Sequence, residues 1–325
     1  MRVLLSQLPL RSALPLVTTF ILAGVLSKDA RSQVVIKAVV NSASFQSLAG
    51  KNDLSLGVPL FPSGGALATA FCSGITKNPG VYVASSTPLP FLLGGVSVYV
   101  NGGIAPLLAV VIPSQDQSSA LTQINFQVPM ERNSAAPPFF SSENSYGNVE
   151  IDVASANGSA SLTVNNTWRG LGGFFTDVNG YVIAQHASDY RPVTEQNPAH
   201  AGETIIAYAD DFFEVWPPPP MGFPVPLQPL FKLDPNLAAS DLYYHGQHLY
   251  LQSYPPPNFK GGTAPSTPPI QILFEGLAPG MIGVEQINFV VPPNQQPGDW
   301  ALFFNVNPDG GLQGVSSAAV VLPVR

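Results

Sequence analysis

Short runs rich in apolar, β-favouring residues recur along the chain, several of them alternating with polar positions, and each is bounded by Gly, Pro, Asn or Ser. Such runs are "VVIKAVV" (34–40), "ALATAF" (66–71), "GVYVAS" (80–85), "VSVYV" (96–100), "LLAVVI" (107–112), "INFQV" (124–128), "NVEIDVA" (148–154) and "ASLTV" (160–164). A period of two puts successive side chains on opposite faces of a strand. Hardly any window carries a helical period with caps. Short strands with turn signals between them predict an all-β fold of the sandwich or barrel type. In "VSVYVNGGIAPLLAVV", Val96, Val98 and Val100 share one face, and Asn101-Gly102-Gly103 tolerates the positive φ of a tight turn. That stretch is expected to be a hairpin.

The order of runs repeats. Gln123-Ile124-Asn125-Phe126-Gln127-Val128-Pro129 returns as Gln286-Ile287-Asn288-Phe289-Val290-Val291-Pro292. Before the two motifs stand "SGGALATAF" and "HAGETIIAY", each a glycine followed by a strand pattern. After them come paired closing runs, "GNVEIDVASANGSASLTV" and "GDWALFFNVNPDGGLQGVSSAAVVLPV". A second hairpin is expected in "DLYYHGQHLYLQ", with its turn at His245-Gly246-Gln247, and a strand in "IQILFEG". The halves are expected to be two copies of one β-unit. In each motif Ile, Phe and Val face one way and belong in a core, with Gln and Asn on the other side. The Asn is expected to bond neighbouring backbone, and the Pro ends the strand because it cannot donate to the ladder.

Composition supports this reading. Of 325 residues 45% are hydrophobic, enough for two cores, whereas only 10% are charged, so Ser, Thr, Asn, Gln and backbone must cover the surface. The 29 Gly and 34 Pro argue against long helices. A net charge of -7, with 13 Lys and Arg that form no run, leaves no footprint for nucleic acid. Residues 1–32 carry Arg2 and Arg11 ahead of an uncharged run and end in Ala30-Arg31-Ser32, the pattern of an export signal. No later run is long and apolar enough for a membrane span. Cys72 is the sole cysteine, which excludes an intrachain disulfide and a cysteine-rich metal cluster, and its strand pattern places it as a buried thiol.

"VVNSASF" (39–45), "LGGVSVYVNG" (93–102), "QINFQVP", "NPAHAGETIIAYA" (197–209) and "GLAPGMIGVEQINFVVP" (276–292) stand in a fixed order. In this the chain resembles the uncharacterised C-terminal region of secreted proteins from Solibacter and other Acidobacteria, with each half similar to an immunoglobulin-like module of the IPT/TIG type. The resemblance implies two tandem immunoglobulin-like β-sandwiches outside the cytoplasm, over residues 33–169 and 170–325. It brings no catalytic residues, so none is assigned.

The largest departure from the pattern runs over 211–269, rich in Pro and aromatic residues. Proline runs favour extended polyproline II, which lowers the entropy lost on ordering. Trp216, Tyr243, Tyr244, Tyr250, Tyr254 and Phe259 are therefore the candidate surface for a glycan or an extracellular protein. The same rings would also serve simply to cover the end of the second sandwich.

Catalytic signals are thin. Asp210, Asp211 and Glu214 form an acidic group after a strand, and His245 and His248 flank a turn with Asp241 near in sequence. A glycosidase needs two carboxylates facing across a cleft. A metal site needs a third ligand and a supporting shell. "FTDVNGYV" suggests a calcium loop, but a turn accounts for it without one. There is no G-x-S-x-G and no phosphate-binding glycine loop. The expectation is a non-catalytic exported protein, secreted, periplasmic or on the cell surface, without cofactor or metal, for adhesion, scaffolding or ligand recognition. The alternative is a carbohydrate-active hydrolase with its site in 211–269.

Overall fold

The alternating runs form strands with one face turned inward. In the computed structural model the described residues are 33–45, 64–75, 78–114, 120–130, 147–166, 172–212, 215, 218–233, 247–253, 268–306 and 315–325. The expected leader (1–32) and the turn at His245 lie outside them. The first nine strands are β1 (Val35–Asn41), β2 (Leu67–Ser73), β3 (Gly80–Val83), β4 (Val96–Val100), β5 (Gly103–Ile104), β6 (Leu107–Ile112), β7 (Thr122–Gln127), β8 (Gly147–Ser155) and β9 (Gly158–Asn166). The rest are β10 (Gly173–Phe174), β11 (Ala184–His186), β12 (Thr204–Asp210), β13 (Gln247–Ser253), β14 (Ile272–Leu277), β15 (Glu285–Val290), β16 (Gly298–Val306), β17 (Val315–Ser316) and β18 (Val320–Val324). The described residues are all-β, without a helix.

Among the described residues the strands form four antiparallel sheets. The first two have the orders β1-β2-β7-β6-β3 and β5-β4-β8-β9. The third has the order β10-β12-β15-β14, with β11 also on β12, and in the fourth β16 lies between β13 and the successive strands β17 and β18. The first two sheets enclose one apolar core that includes Val39, Ala68, Val98, Leu107, Ile124, Phe126, Ile151 and Val153. The other two enclose a second, with Ile205, Ala207, Leu249, Leu251, Ile287, Phe289, Leu302 and Phe304. Both lie within the unit Ser32–Arg325.

The duplication extends to register. Ala68 pairs with Phe126 and Ala70 with Ile124; Ile205 pairs with Phe289 and Ala207 with Ile287. A bulge falls between Leu107 and Ala109 where β6 meets β7, and another between Ile272 and Phe274 where β14 meets β15. Even the edge strand recurs. Val81 of β3 pairs with Val111, and Lys232 pairs with Gly276, which holds the same place on β14. A Cβ on Gly276 would collide with the Phe231 carbonyl, so only glycine admits this close approach.

Two expectations change. The hairpin after β4 turns on Asn101 and Gly102 at φ 48° and 76°, but it ends after two residue pairs. Ala105 and Leu107 then enter the core, and β6 joins the opposite sheet. The motif asparagines bond side chains rather than backbone. Asn125 Oδ1 accepts from Gln123 Nε2 at 2.9 Å and Thr69 Oγ1 at 3.0 Å, and Asn288 Oδ1 accepts from Gln286 Nε2 at 2.9 Å. These bonds link polar side chains along the outer row of each strand.

Ile124, Phe126, Ile287 and Phe289 are each fully buried. Truncating Phe126 or Phe289 to Ala leaves a cavity costing about 3–5 kcal/mol. Urea unfolding of each variant should show that loss, with the two costs adding in the double variant because the rings lie in separate cores.

Candidate functional site

The aromatic platform expected over 211–269 is only partly within the described residues. Trp216, Tyr243, Tyr244, Tyr254 and Phe259 lie outside them. Tyr250 is on β13, only 7% exposed, with its ring against Phe303 at 5.9 Å and the His248 ring edge-on at 6.3 Å. Its two neighbours in the strand, Leu249 and Leu251, point to the opposite face and into the second core. The stretch therefore contains a sheet strand. Pro218–Leu233 also runs along the molecule as a strap. The Gly222 N–H donates to Gln127 Oε1 and the Gly222 carbonyl accepts from Leu89 N–H, both on the first half. Val225 and Phe231–Leu233 bond to Met281, Gly280, Leu277 and Glu275 on the second.

Asp210 and Asp211 lie where the two halves meet. Asp210 is fully buried at the end of β12. Its Oδ1 accepts from the Leu67 N–H and its Oδ2 from Asn41 Nδ2, each at 2.9 Å. Asn41 Oδ1 in turn accepts the N–H groups of Ala43 and Ser44. Burial raises the Asp210 carboxyl well above the usual range; the charge of Asp211 adds to the rise, and the Leu67 bond opposes it. At Asp211 a φ of 65° ends the strand, and its side chain joins Glu285, Met130 and Met221 around a cavity of about 40 Å³. Glu285 Oε2 accepts from the Phe212 N–H at 2.9 Å. In the first copy the same register positions are Ser73 and Thr122, so the acids are additions at the seam. Gln127, expected on the polar face, is 4% exposed for the same reason: its amide bridges Gly65 and Gly222.

Glu275 stands opposite Ile287, where the first copy has the core residue Val110 opposite Ile124. Burial there pushes its carboxyl up to about 7.

Two polar constellations were not singled out from the sequence. A surface cleft of about 320 Å³ is lined by Asp177, Tyr181, Thr194, Glu195 and Gln196. The Tyr181 hydroxyl reaches Glu195 Oε1 at 2.8 Å and Asp299 Oδ2 at 3.3 Å. The hydrogen bond to Glu195, with desolvation and the Asp299 charge, raises the phenol to about 12, so near neutral pH the hydroxyl keeps its proton and donates. Asp177 Oδ1 accepts from the N–H groups of Asn179 and Tyr181, which makes "FTDVNGYV" a turn.

The second constellation is His186, His200 and Glu203, whose ligating atoms all lie within 4.8 Å of one another. His186 Nδ1 is 2.8 Å from Glu203 Oε1, and His200 Nδ1 is 3.4 Å from Glu203 Oε2. The signal in the sequence is the His200-Ala-Gly-Glu203 spacing, which is also part of the glycine-and-strand pattern of the second copy. His248, one of the two turn histidines, is exposed on β13 and joins no such group among the described residues.

The fold and these sites define a class no finer than a duplicated all-β protein of facing antiparallel sheets. No family model matches the chain, and no curated protein matches it. Among solved structures it is similar at 12% identity to an endo-fucoidan hydrolase, MfFcnA4, of glycoside hydrolase family 107. The match covers 82% of this chain and 28% of that one at a TM-score of 0.14, a likeness that carries no argument.

Asp210→Ala orphans the buried Leu67 N–H and Asn41 amide, at about 1–3 kcal/mol each. Chemical denaturation should show the loss, and hydrogen exchange should quicken at Leu67. Because the Glu275 carboxyl rises from 4.5 to about 7 on folding, its contribution is full below 4.5 and is lost as pH rises towards 7. Glu275→Gln should remove that decline from a plot of stability against pH.

Proposed function

We propose that this chain is an exported, non-catalytic protein of two tandem immunoglobulin-like β-sandwiches that recognises a ligand outside the cytoplasm, as an adhesin or scaffold. The observation that carries this reading is the use of Asp210. A hydrolase built on Asp210, Asp211 and Glu214 needs carboxylates open to a cleft and a substrate. Asp210 instead has no exposed surface and holds the Leu67 and Asn41 donors across the seam. Asp210 thus has a structural task, and in this reading recognition falls to surfaces outside the two cores.

A glycan is the favoured ligand class over a protein. The cleft beside Tyr181 offers carboxylate acceptors, an amide and an aromatic ring within reach of one another, which suits hydroxyl-rich sugars. Trp216, Tyr243, Tyr244, Tyr254 and Phe259 supply further rings for stacking in this reading, whereas Tyr250 packs internally.

Removing 211–269 is not a usable test, because it deletes β13 and the strap. Point variants are. The mature protein should bind members of a glycan array, with binding reduced roughly tenfold or more by Trp216→Ala or Tyr181→Phe and no reducing sugar released. Release of reducing ends would support the carbohydrate-active hydrolase instead. Absence of both binding and hydrolysis would leave a scaffold role.

A further inference from the structure

We propose that His186, His200 and Glu203 bind one divalent transition-metal ion of the zinc class, with one coordination position open to solvent. Two imidazoles and a carboxylate are the donor set that favours zinc and its neighbours over calcium or magnesium, which take oxygen ligands. Tetrahedral zinc with bonds of about 2.0–2.1 Å holds its donors about 3.3 Å apart. The two nitrogen-to-carboxylate separations, 2.8 and 3.4 Å, bracket that spacing, and the three ligating atoms all lie within 4.8 Å of one another.

The surrounding bonds suit a ligand. His186 Nε2 faces both the Asn197 Nδ2 amide at 2.9 Å and the Asn197 carbonyl at 3.2 Å. Without metal, Nε2 accepts from the amide while Nδ1–H donates to Glu203. With metal on Nδ1, the proton moves to Nε2 and donates to the carbonyl, the outer support a ligating histidine requires, in exchange for the bond that Nε2 accepted from the Asn197 amide. Asn197 is itself fixed, because its Nδ2 donates to the Pro192 carbonyl and its N–H to Thr194 Oγ1.

The backbone frame is equally fixed. His186 lies on β11, paired with β12. Ala199 is bonded on both sides to the last strand region, through Pro323 and Arg325. The Glu203 carbonyl accepts from the Val291 N–H, and its own N–H donates to the His200 carbonyl. Three ligands thus come from a framework set before any ion arrives. His186 is 8% exposed at its side chain and anchors the inner side, whereas His200 is 62% exposed and leaves the fourth position to water or an external donor. Arg191, the nearby cation, leans towards Asp189 and Asn197 Oδ1.

The test is calorimetric titration of the mature chain with Zn2+ alone, repeated with Co2+ and with Ca2+. One Zn2+ per chain is expected, with Co2+ giving the intense visible bands of a four-coordinate site and Ca2+ giving no heat. His200→Ala and Glu203→Gln should each weaken Zn2+ at least tenfold, and His248→Ala should bind as the parent does. Zn2+ should raise the melting temperature of the parent but not of His200→Ala. Loss of the exposed His200 ring leaves the fold intact, which circular dichroism checks. The proposal is overturned if the parent binds no Zn2+, if His248→Ala weakens binding as much as His200→Ala, or if Ca2+ binds equally well.

Discussion

The central pairing of each long sheet, β2 on β7 and β12 on β15, sets the constraint that organises the rest. On its inner face, small or branched residues of one strand lie opposite Ile and Phe of the other: Ala68 and Ala70 in the first copy, Ile205 and Ala207 in the second. A shift of one residue would bring the Gln and Asn side chains into the core and put both rings in water. The register is therefore held by burial, and every neighbouring strand, including the matching bulges of β6 and β14, is placed by it.

The seam is where the copies differ. Ser73 and Thr122 of the first copy are matched in the second by Asp210 and Glu285, and both acids take backbone N–H groups in the seam region. A buried acid is tolerated there because its oxygens receive donors that would otherwise be unmet. The strap plays a related part. Phe231–Leu233 takes the edge position that β3 holds in the first copy, and Gly222 upstream reaches back to Gln127 and Leu89. A stretch whose proline content read as a surface insertion thus completes one sheet and joins it to the other half. Glu275 is a further acid within the repeat that runs against burial, replacing Val110 at a core-facing place with a group whose neutral form is favoured.

Much of the fold could be read from local pattern. The inward faces of β4, β7 and β15, the burial of Cys72 and the equivalence of "SGGALATAF" with "HAGETIIAY" follow from alternation and repetition alone. The candidate sites could not. Tyr250 looked like a platform ring but packs on Phe303, because β13 has a second buried face that its sequence does not advertise. His186 and Glu203 are near in the chain, yet their contact depends on β11 pairing with β12. The Tyr181 hydroxyl meets Asp299, 118 positions further along the chain, only because the chain folds back.

By itself the sequence determined that the chain makes strands, which face of each is apolar, and that one arrangement is written twice. These are properties of period and composition, sensed over a few residues. Tertiary structure decided what the polar groups do: that Asn41 meets Asp210 across 169 residues, that a proline-rich run becomes a sheet edge, and that two histidines and a glutamate converge. The reason is range, since a hydrogen bond or a shared ligand position requires atoms to meet within a few ångströms, and only the closed sheets bring such distant parts of the chain together.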